Sequence, residues 1–164
     1  MKPTYYSQYD EPYASYPYPS ANHPQANIKS SGCGVTCFAM VQATLQNPKY
    51  TPIDGAKDAI SMNDRGLEGT EDEFFQHAAA KYKLQFSQTS DLNTVLDSLK
   101  NGKLVVCRMK DWFRPGAGHF ILSWGVNNGK IQINDPASRE NSQKLWDTTI
   151  FTQKCIRYFI YGKL

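Results

Sequence analysis

The chain has 164 residues, 40% hydrophobic and 13% aromatic, with 20% charged side chains and a net charge of +3. That length suits one domain with a single sizeable core, and the aromatic content excludes a disordered chain. The longest apolar run, around residues 120–126, is far too short to span a bilayer. Lysine and arginine form no nucleic-acid-type cluster, and no apolar segment of signal-peptide type follows the first residues.

Residues 1–30 are rich in Tyr, Pro, Ser and Asn. Pro12, Pro17, Pro19 and Pro24 rule out a helix, and the tyrosines argue for an extended arm packed on the body. A central helix is predicted over 34–46, with Cys37, Met40, Val41, Thr44 and Leu45 on one face and Pro48 stopping it. A short helix over 53–62 follows. Thr70-Glu71-Asp72-Glu73 reads as a capping box that opens a helix carrying Phe74, Phe75, Ala78 and Tyr82. Leu84-Gln85-Phe86 is strand-like. Ser90 or Asp91 caps a third helix bearing Leu92, Val95, Leu96 and Leu99, closed by Gly102. Residues 103–109, 118–126, 130–134 and 156–162 then read as strands, with Asn127-Asn128-Gly129 as a hairpin turn. Helices first and strands afterwards predict an α+β domain with an antiparallel sheet, spanning 1–164 as one unit.

The four cysteines, Cys33, Cys37, Cys107 and Cys155, could form two disulfides but lack the spacing of a small secreted scaffold; Cys107, in an apolar strand, and Cys155, before another, are expected as buried free thiols made in a reducing compartment. Cys33 and Cys37 have no second cysteine pair or nearby histidine to complete a zinc site, so no metal is expected.

Cys33 lies in Ser-Ser-Gly-Cys-Gly-Val-Thr-Cys-Phe-Ala-Met-Val, where a loop ends and the central helix begins. Gly32 and Gly34 flank the thiol, so the backbone can turn sharply and a substrate can come close. A helix N-terminus offers unpaired N–H groups and the positive end of the macrodipole. Both favour thiolate, and such sites bring a cysteine pKa from about 8.5 into the range of roughly 3.5–7.5. A cysteine is more often a small buried hydrophobe, so a nucleophile needs a base and an orienting acceptor.

Of the three histidines, His119 opens a strand in Gly118-His119-Phe120-Ile121-Leu122, with Gly118 leaving the space beside it open. His77 falls mid-helix beside alanines, and His23 falls in the arm. If the strands over 118–126 and 130–134 pair through the Asn-Asn-Gly turn, Asp135 comes next to His119. Taken alone, Asp135-Pro136 is an ordinary strand-ending turn.

Gly-Cys-Gly-Val-Thr-Cys-Phe-Ala-Met-Val, Gly-His-Phe-Ile-Leu and Asn-Asp-Pro-Ala-Ser-Arg-Glu, in this order, resemble the papain-like peptidases related to bacteriocin-processing (double-glycine) peptidases. The likeness is to the stand-alone versions of phage endolysins and other bacterial cell-wall hydrolases. It covers nearly the whole chain, including Tyr-Tyr-Ser-Gln-Tyr-Asp near the start. The resemblance implies a papain-like fold, with the nucleophile helix packed on a twisted antiparallel sheet and no metal or organic cofactor. It implies Cys33 as nucleophile, His119 as general base and acid, Asp135 as orienter, and Gln8 as an oxyanion-hole donor beside the Cys33 N–H. Gln25 and Asn27 lie closer to the thiol in sequence and stay open as alternatives to Gln8. Cys37, where a small residue such as serine often sits, is either packing or a rival nucleophile.

The segment over 110–118 is less glycine-rich than expected of relatives and adds a Trp-Phe pair. As a cleft rim it would set Trp112 and Gly118, with Gly32 and Gly34, against substrate; the alternative is a surface loop anchored by its aromatics. The activity implied is a cysteine peptidoglycan hydrolase of endolysin type. It would be monomeric, made in the cytoplasm, and would lyse bacteria by cleaving a wall amide as an endopeptidase or an N-acetylmuramoyl-L-alanine amidase. The alternatives are a protein- or leader-peptide-processing cysteine peptidase and a catalytically inactive papain-like binding module.

Overall fold

The computed structural model describes residues 2–164. The arm runs over the body to α1 (Ile28–Ser31), a short turn of helix whose N-cap Asn27 accepts from the Ser30 N–H at 2.9 Å. Tyr18 anchors the arm: it is fully buried, with its hydroxyl 2.6 Å from Thr70 Oγ1.

The central helix α2 (Cys33–Leu45) follows directly, and nearly every residue in it is buried. The single apolar face expected from the sequence is therefore too narrow a description. The arm, α3 (Pro52–Ser61) and the sheet enclose α2 together, and small or weakly polar residues such as Ala39, Thr36 and Gln42 fill its other sides. Thr51 and Asp54 cap α3 reciprocally, with a proline in its first turn where the missing N–H costs nothing.

The helix α4 (Glu73–Tyr82) has Asp72 at its N-cap position, and no side chain caps it. The capping box expected at Thr70 does not form: the helix starts three residues later, at Glu73, and the Thr70 hydroxyl pairs with Tyr18 instead. After β1 (Gln85–Thr89), Asp91 caps α5 (Leu92–Lys100) through the Thr94 N–H at 3.1 Å.

The remaining strands are β2 (Leu104–Met109), β3 (His119–Asn127), β4 (Lys130–Asn134), β5 (Leu145–Trp146) and β6 (Cys155–Gly162). All pairs are antiparallel, in the order β1-β6-β2-β3-β4-β5. Asn128 and Gly129 both sit at positive φ (52° and 74°), the backbone of a two-residue turn whose twist matches that of β3 and β4. Between β4 and β6, where the sequence signals no period, the chain forms α6 (Arg139–Ser142), the short β5 and α7 (Thr148–Lys154).

The sheet is buried on both faces, so its central strands are apolar in both registers. Leu104, Val106, Leu122, Phe159 and Tyr161 face α2 and α4, where Phe38 gathers the rings of Tyr50, Phe74, Tyr82 and Tyr161. Val105, Cys107, Ile121, Tyr158 and Ile160 face the other way, onto Val95 and Leu99 of α5 and Phe151 of α7. The α+β arrangement read from element order is the one observed. The second core comes from α5 and from α7, which the sequence reading missed.

Candidate active site

Two elements that are far apart in the chain meet at one cleft. The N-terminus of α2 brings Cys33, and the start of β3 brings His119. The pairing Leu122↔Asn134 ends β4 three residues along from His119, so the next residue, Asp135, leaves the sheet beside the histidine. His119 Nε2 lies 2.7 Å from Asp135 Oδ1, in a pair almost sealed from solvent. That leaves Nδ1 as the ring nitrogen available to Cys33, whose pKa the neighbouring His119 lowers.

Each member of this trio is electrostatically shifted. Burial alone favours the neutral Cys33 thiol. The positive His119 ring, its hydrogen bond and the Phe120 N–H outweigh burial and draw the Cys33 pKa below the ordinary thiol value. Burial likewise opposes a charged His119. The Cys33 thiolate and the Asp135 carboxylate prevail, and its pKa is pushed up to about 9. Asp135 is held below the usual carboxylate range against the effect of burial, by His119, Asn141 and Trp112. These shifts all favour a thiolate–imidazolium pair steadied by a buried carboxylate.

Gly34 makes the approach feasible, since a Cβ there would sit 2.9 Å from Thr70 Cβ and 3.2 Å from Phe120 Cδ2. A Cβ on Gly32 would meet the Ile28 carbonyl oxygen at 2.7 Å. Both glycines are buried and neither lines the cleft, so their expected contact with substrate is corrected to close internal packing. Gly118 does line the cleft, with nothing closer to its missing side chain than 3.9 Å. Cys37 is wholly buried, and burial and the Cys33 charge both raise its pKa well above the ordinary value. It is a packed, protonated thiol.

The cleft measures about 640 Å³. Its lining includes the exposed rings of Tyr9 and Phe113, the acidic Glu71 and Glu73, and the basic Lys29 and Arg114. Trp112 does not line it. Its ring packs on Trp146 and its indole N–H donates to Asp135 Oδ2 at 2.9 Å, so its expected role as a substrate contact is corrected to support of the carboxylate. The neighbouring Phe113 takes the place at the rim, with its ring 4.9 Å from that of His119.

Gln8 lines the cleft but is only 4% exposed. Its Nε2 donates to the carbonyls of Lys29 (2.9 Å) and Ile28 (3.3 Å), and its backbone N–H donates to the Pro136 carbonyl at 2.8 Å. Oε1 is left without a partner. Reversing the amide would set its oxygen against two carbonyl oxygens, so this orientation is the sensible one. The donors expected for an oxyanion are thus committed to joining the Cys33 side of the cleft to the Asp135 side. Asn27 is occupied as the α1 cap, and Gln25 lines a neighbouring depression of about 520 Å³.

His77 pairs with Asp64 and His23 with Glu68, both away from the thiol. No group of three or more metal-ligating side chains exists among the described residues. None of the described helices is long and apolar enough to cross a membrane. The support of Asp135 by Trp112 and Asn141 was missed from sequence. Its one signal was the Trp-Phe pair in the loop before His119.

Comparison with known proteins gives one family match, to the model described as "Peptidase_C39 like family", over residues 3–163. No curated protein sequence matches the chain. Among solved structures, the peptidase domain of Streptococcus ComA, a bi-functional ABC transporter involved in a quorum sensing pathway, superposes with a TM-score of 0.57. The two are 16% identical over 81% of this chain and 92% of that one. A C39-like peptidase from Bacillus anthracis gives a TM-score of 0.51 at 15% identity, over 81% and 89% of the two chains. At identities this low the superpositions show a shared papain-like fold alone.

Proposed function

We propose, since the chain belongs to the Peptidase_C39-like family of cysteine peptidases, that it hydrolyses a peptide bond with Cys33 as nucleophile. The observation that carries this reading is the convergence of a depressed thiol, a raised imidazole and a depressed carboxylate at one open cleft. The Cys33 thiolate attacks the carbonyl carbon of the scissile amide. Negative charge builds on the carbonyl oxygen, where the Cys33 N–H, in the first turn of α2 and without an intrahelical acceptor, can meet it. The imidazolium Nδ1–H of His119 passes its proton to the leaving amine as the C–N bond breaks, which leaves a thioester. His119, now neutral, takes a proton from water. The resulting hydroxide attacks the thioester, the C–S bond breaks to restore the Cys33 thiolate, and the carboxylic acid product gives its proton to solvent as it departs.

The substrate we favour is a polypeptide drawn through the cleft in extended form, as in the processing of a larger peptide. The family and the fold shared with the ComA peptidase domain support it. Wall-derived peptides are the second reading. In its favour, the cleft carries both acidic (Glu71, Glu73) and basic (Lys29, Arg114) side chains, which suit stem peptides that bear amines and carboxylates together. The two readings separate when wild type and Cys33→Ala are incubated in parallel with a peptide library and with purified peptidoglycan, and new amino termini are read by mass spectrometry. Cleavage of the library by wild type alone supports processing, and cleavage of peptidoglycan alone supports the wall reading. Cleavage by Cys33→Ala overturns both.

A further inference from the structure

Asp135 Oδ2 does not touch His119. It accepts from the Trp112 indole N–H at 2.9 Å and the Asn141 amide at 3.0 Å, while Oδ1 takes His119 Nε2 at 2.7 Å and the Ala137 N–H at 2.9 Å. The residue is 0% exposed, so water offers no substitute donor. Trp112 is itself fixed: its ring lies 4.9 Å from that of Trp146, whose indole N–H donates to the Asn141 carbonyl at 3.0 Å. Trp112, Trp146 and Asn141 thus close around the second oxygen.

The loop that presents Trp112 is tied as well. Gly116 N–H donates to Asp111 Oδ1 at 2.7 Å, Trp112 N–H to the Ala117 carbonyl at 3.1 Å, and Lys154 Nζ to the Asp111 carbonyl at 2.9 Å. The next side chain, Phe113, lies on His119.

A carboxylate turns about its own axis unless both oxygens are held. With the Trp112 N–H removed, a buried Oδ2 keeps one donor. The carboxylate plane then tilts towards Asn141, or burial returns the group to its neutral form. Either outcome withdraws support from the imidazolium, and the thiolate loses its counter-ion in turn.

We propose that Trp112 is a positioning residue. Its indole N–H sets the plane of the Asp135 carboxylate, aligns Oδ1 with His119 Nε2, and so maintains the Cys33–His119 ion pair from outside the cleft. This rests on the reading of Cys33 and His119 given above.

Iodoacetamide alkylation of Cys33, mapped by mass spectrometry from about pH 5 to about pH 9, tests it without a substrate, because only the thiolate reacts. Trp112→Phe keeps a packed ring and removes the donor. The midpoint of its profile is expected to rise by about one unit, which makes alkylation roughly tenfold slower on the acid side. Trp124→Phe, which removes an indole N–H that has no partner, is expected to leave the profile unchanged. A Trp112→Phe profile that overlays the wild type overturns the proposal.

Should that variant fail to fold, the wild-type protein decides by NMR. The Trp112 indole N–H resonance, identified by elimination with Trp124→Phe and Trp146→Phe, is expected to shift through the same midpoint, and one that ignores it overturns the proposal. If alkylation is indifferent to His119→Ala, the underlying nucleophile reading falls and takes this inference with it. Dependence on His119 without dependence on Trp112 removes the inference alone.

Discussion

His119 Nε2 and Asp135 Oδ1 lie 2.7 Å apart in a pair whose side chains are 6% and 0% exposed. A hydrogen bond so well shielded fixes the ring, turns Nδ1 to Cys33, and lets a carboxylate charge act through imidazole on a thiol it does not touch. The geometry also makes the carboxylate hard to replace. Both Asp135 oxygens face donors only, so an amide NH2 would oppose an N–H whichever way it turned.

Asp135→Asn is therefore not conservative in this protein. It is expected to lower kcat by about a hundredfold, within the range of general acid–base contributions. It should also lower stability by roughly 1–3 kcal/mol through unpaired buried donors. Steady-state kinetics on a cleaved peptide, together with chemical denaturation, measure both effects.

The pH dependence of hydrolysis follows from the two shifted groups. Attack requires thiolate, so activity rises as Cys33 loses its proton, below the ordinary thiol range. Amine departure requires a protonated His119, so activity falls as pH passes about 9. A bell with its basic limb near that value is expected in kcat/KM. In His119→Ala the alkylation midpoint of Cys33 should move upward, because the counter-ion is gone.

Folding stability carries the sign of Asp135. Its native pKa is lowered, so its stabilisation is present above the unfolded value of about 3.9 and is lost as pH falls through the depressed native one. Thermal melts below about pH 4 should therefore show wild type losing more stability than Asp135→Asn does over the same interval.

Cys37 lies one turn behind the nucleophile, sealed and protonated. Cys37→Ala is expected to keep kcat/KM within a few-fold while losing about 1 kcal/mol of stability for the lost sulfur contacts. A kinetic scan with a matched melt separates these two effects.

Gly34→Ala should do the reverse of a neutral helix substitution. Its Cβ would press on Thr70, which Tyr18 pins, and on Phe120, which follows His119. A loss of about 1–3 kcal/mol is expected from overpacking, with kcat falling alongside as β3 moves away from α2. Denaturant melts and kinetics of the one variant check both.

Much of the site was legible because it depends on short-range signals. The Gly-Cys-Gly start of α2 and the Asn-Asn-Gly turn each fix local backbone, and the turn sets the register that brings Asp135 to His119. What sequence could not show depends on packing across long separations. Thr70 looked like a helix cap, but the helix starts at Glu73 and the Thr70 hydroxyl pairs with Tyr18, 52 residues earlier in the chain. Gln8 looked like an oxyanion donor, but its amide is drawn to the α1 carbonyls. Trp112 sat in a loop that could point either way, and Trp146 and Asp135 turn it inward. The short elements α6, β5 and α7 carry no period of their own; α7 buries Phe151 in the second core.

The central claim is that Cys33, made reactive by His119, forms a covalent bond with a substrate carbonyl. Its most direct test is a peptide probe ending in a thiol-reactive vinyl sulfone, followed by site mapping of the adduct. The account predicts rapid modification of Cys33, none at Cys37 or Cys155, and loss of the adduct in His119→Ala. An adduct on another cysteine, or one formed equally fast without His119, would contradict it.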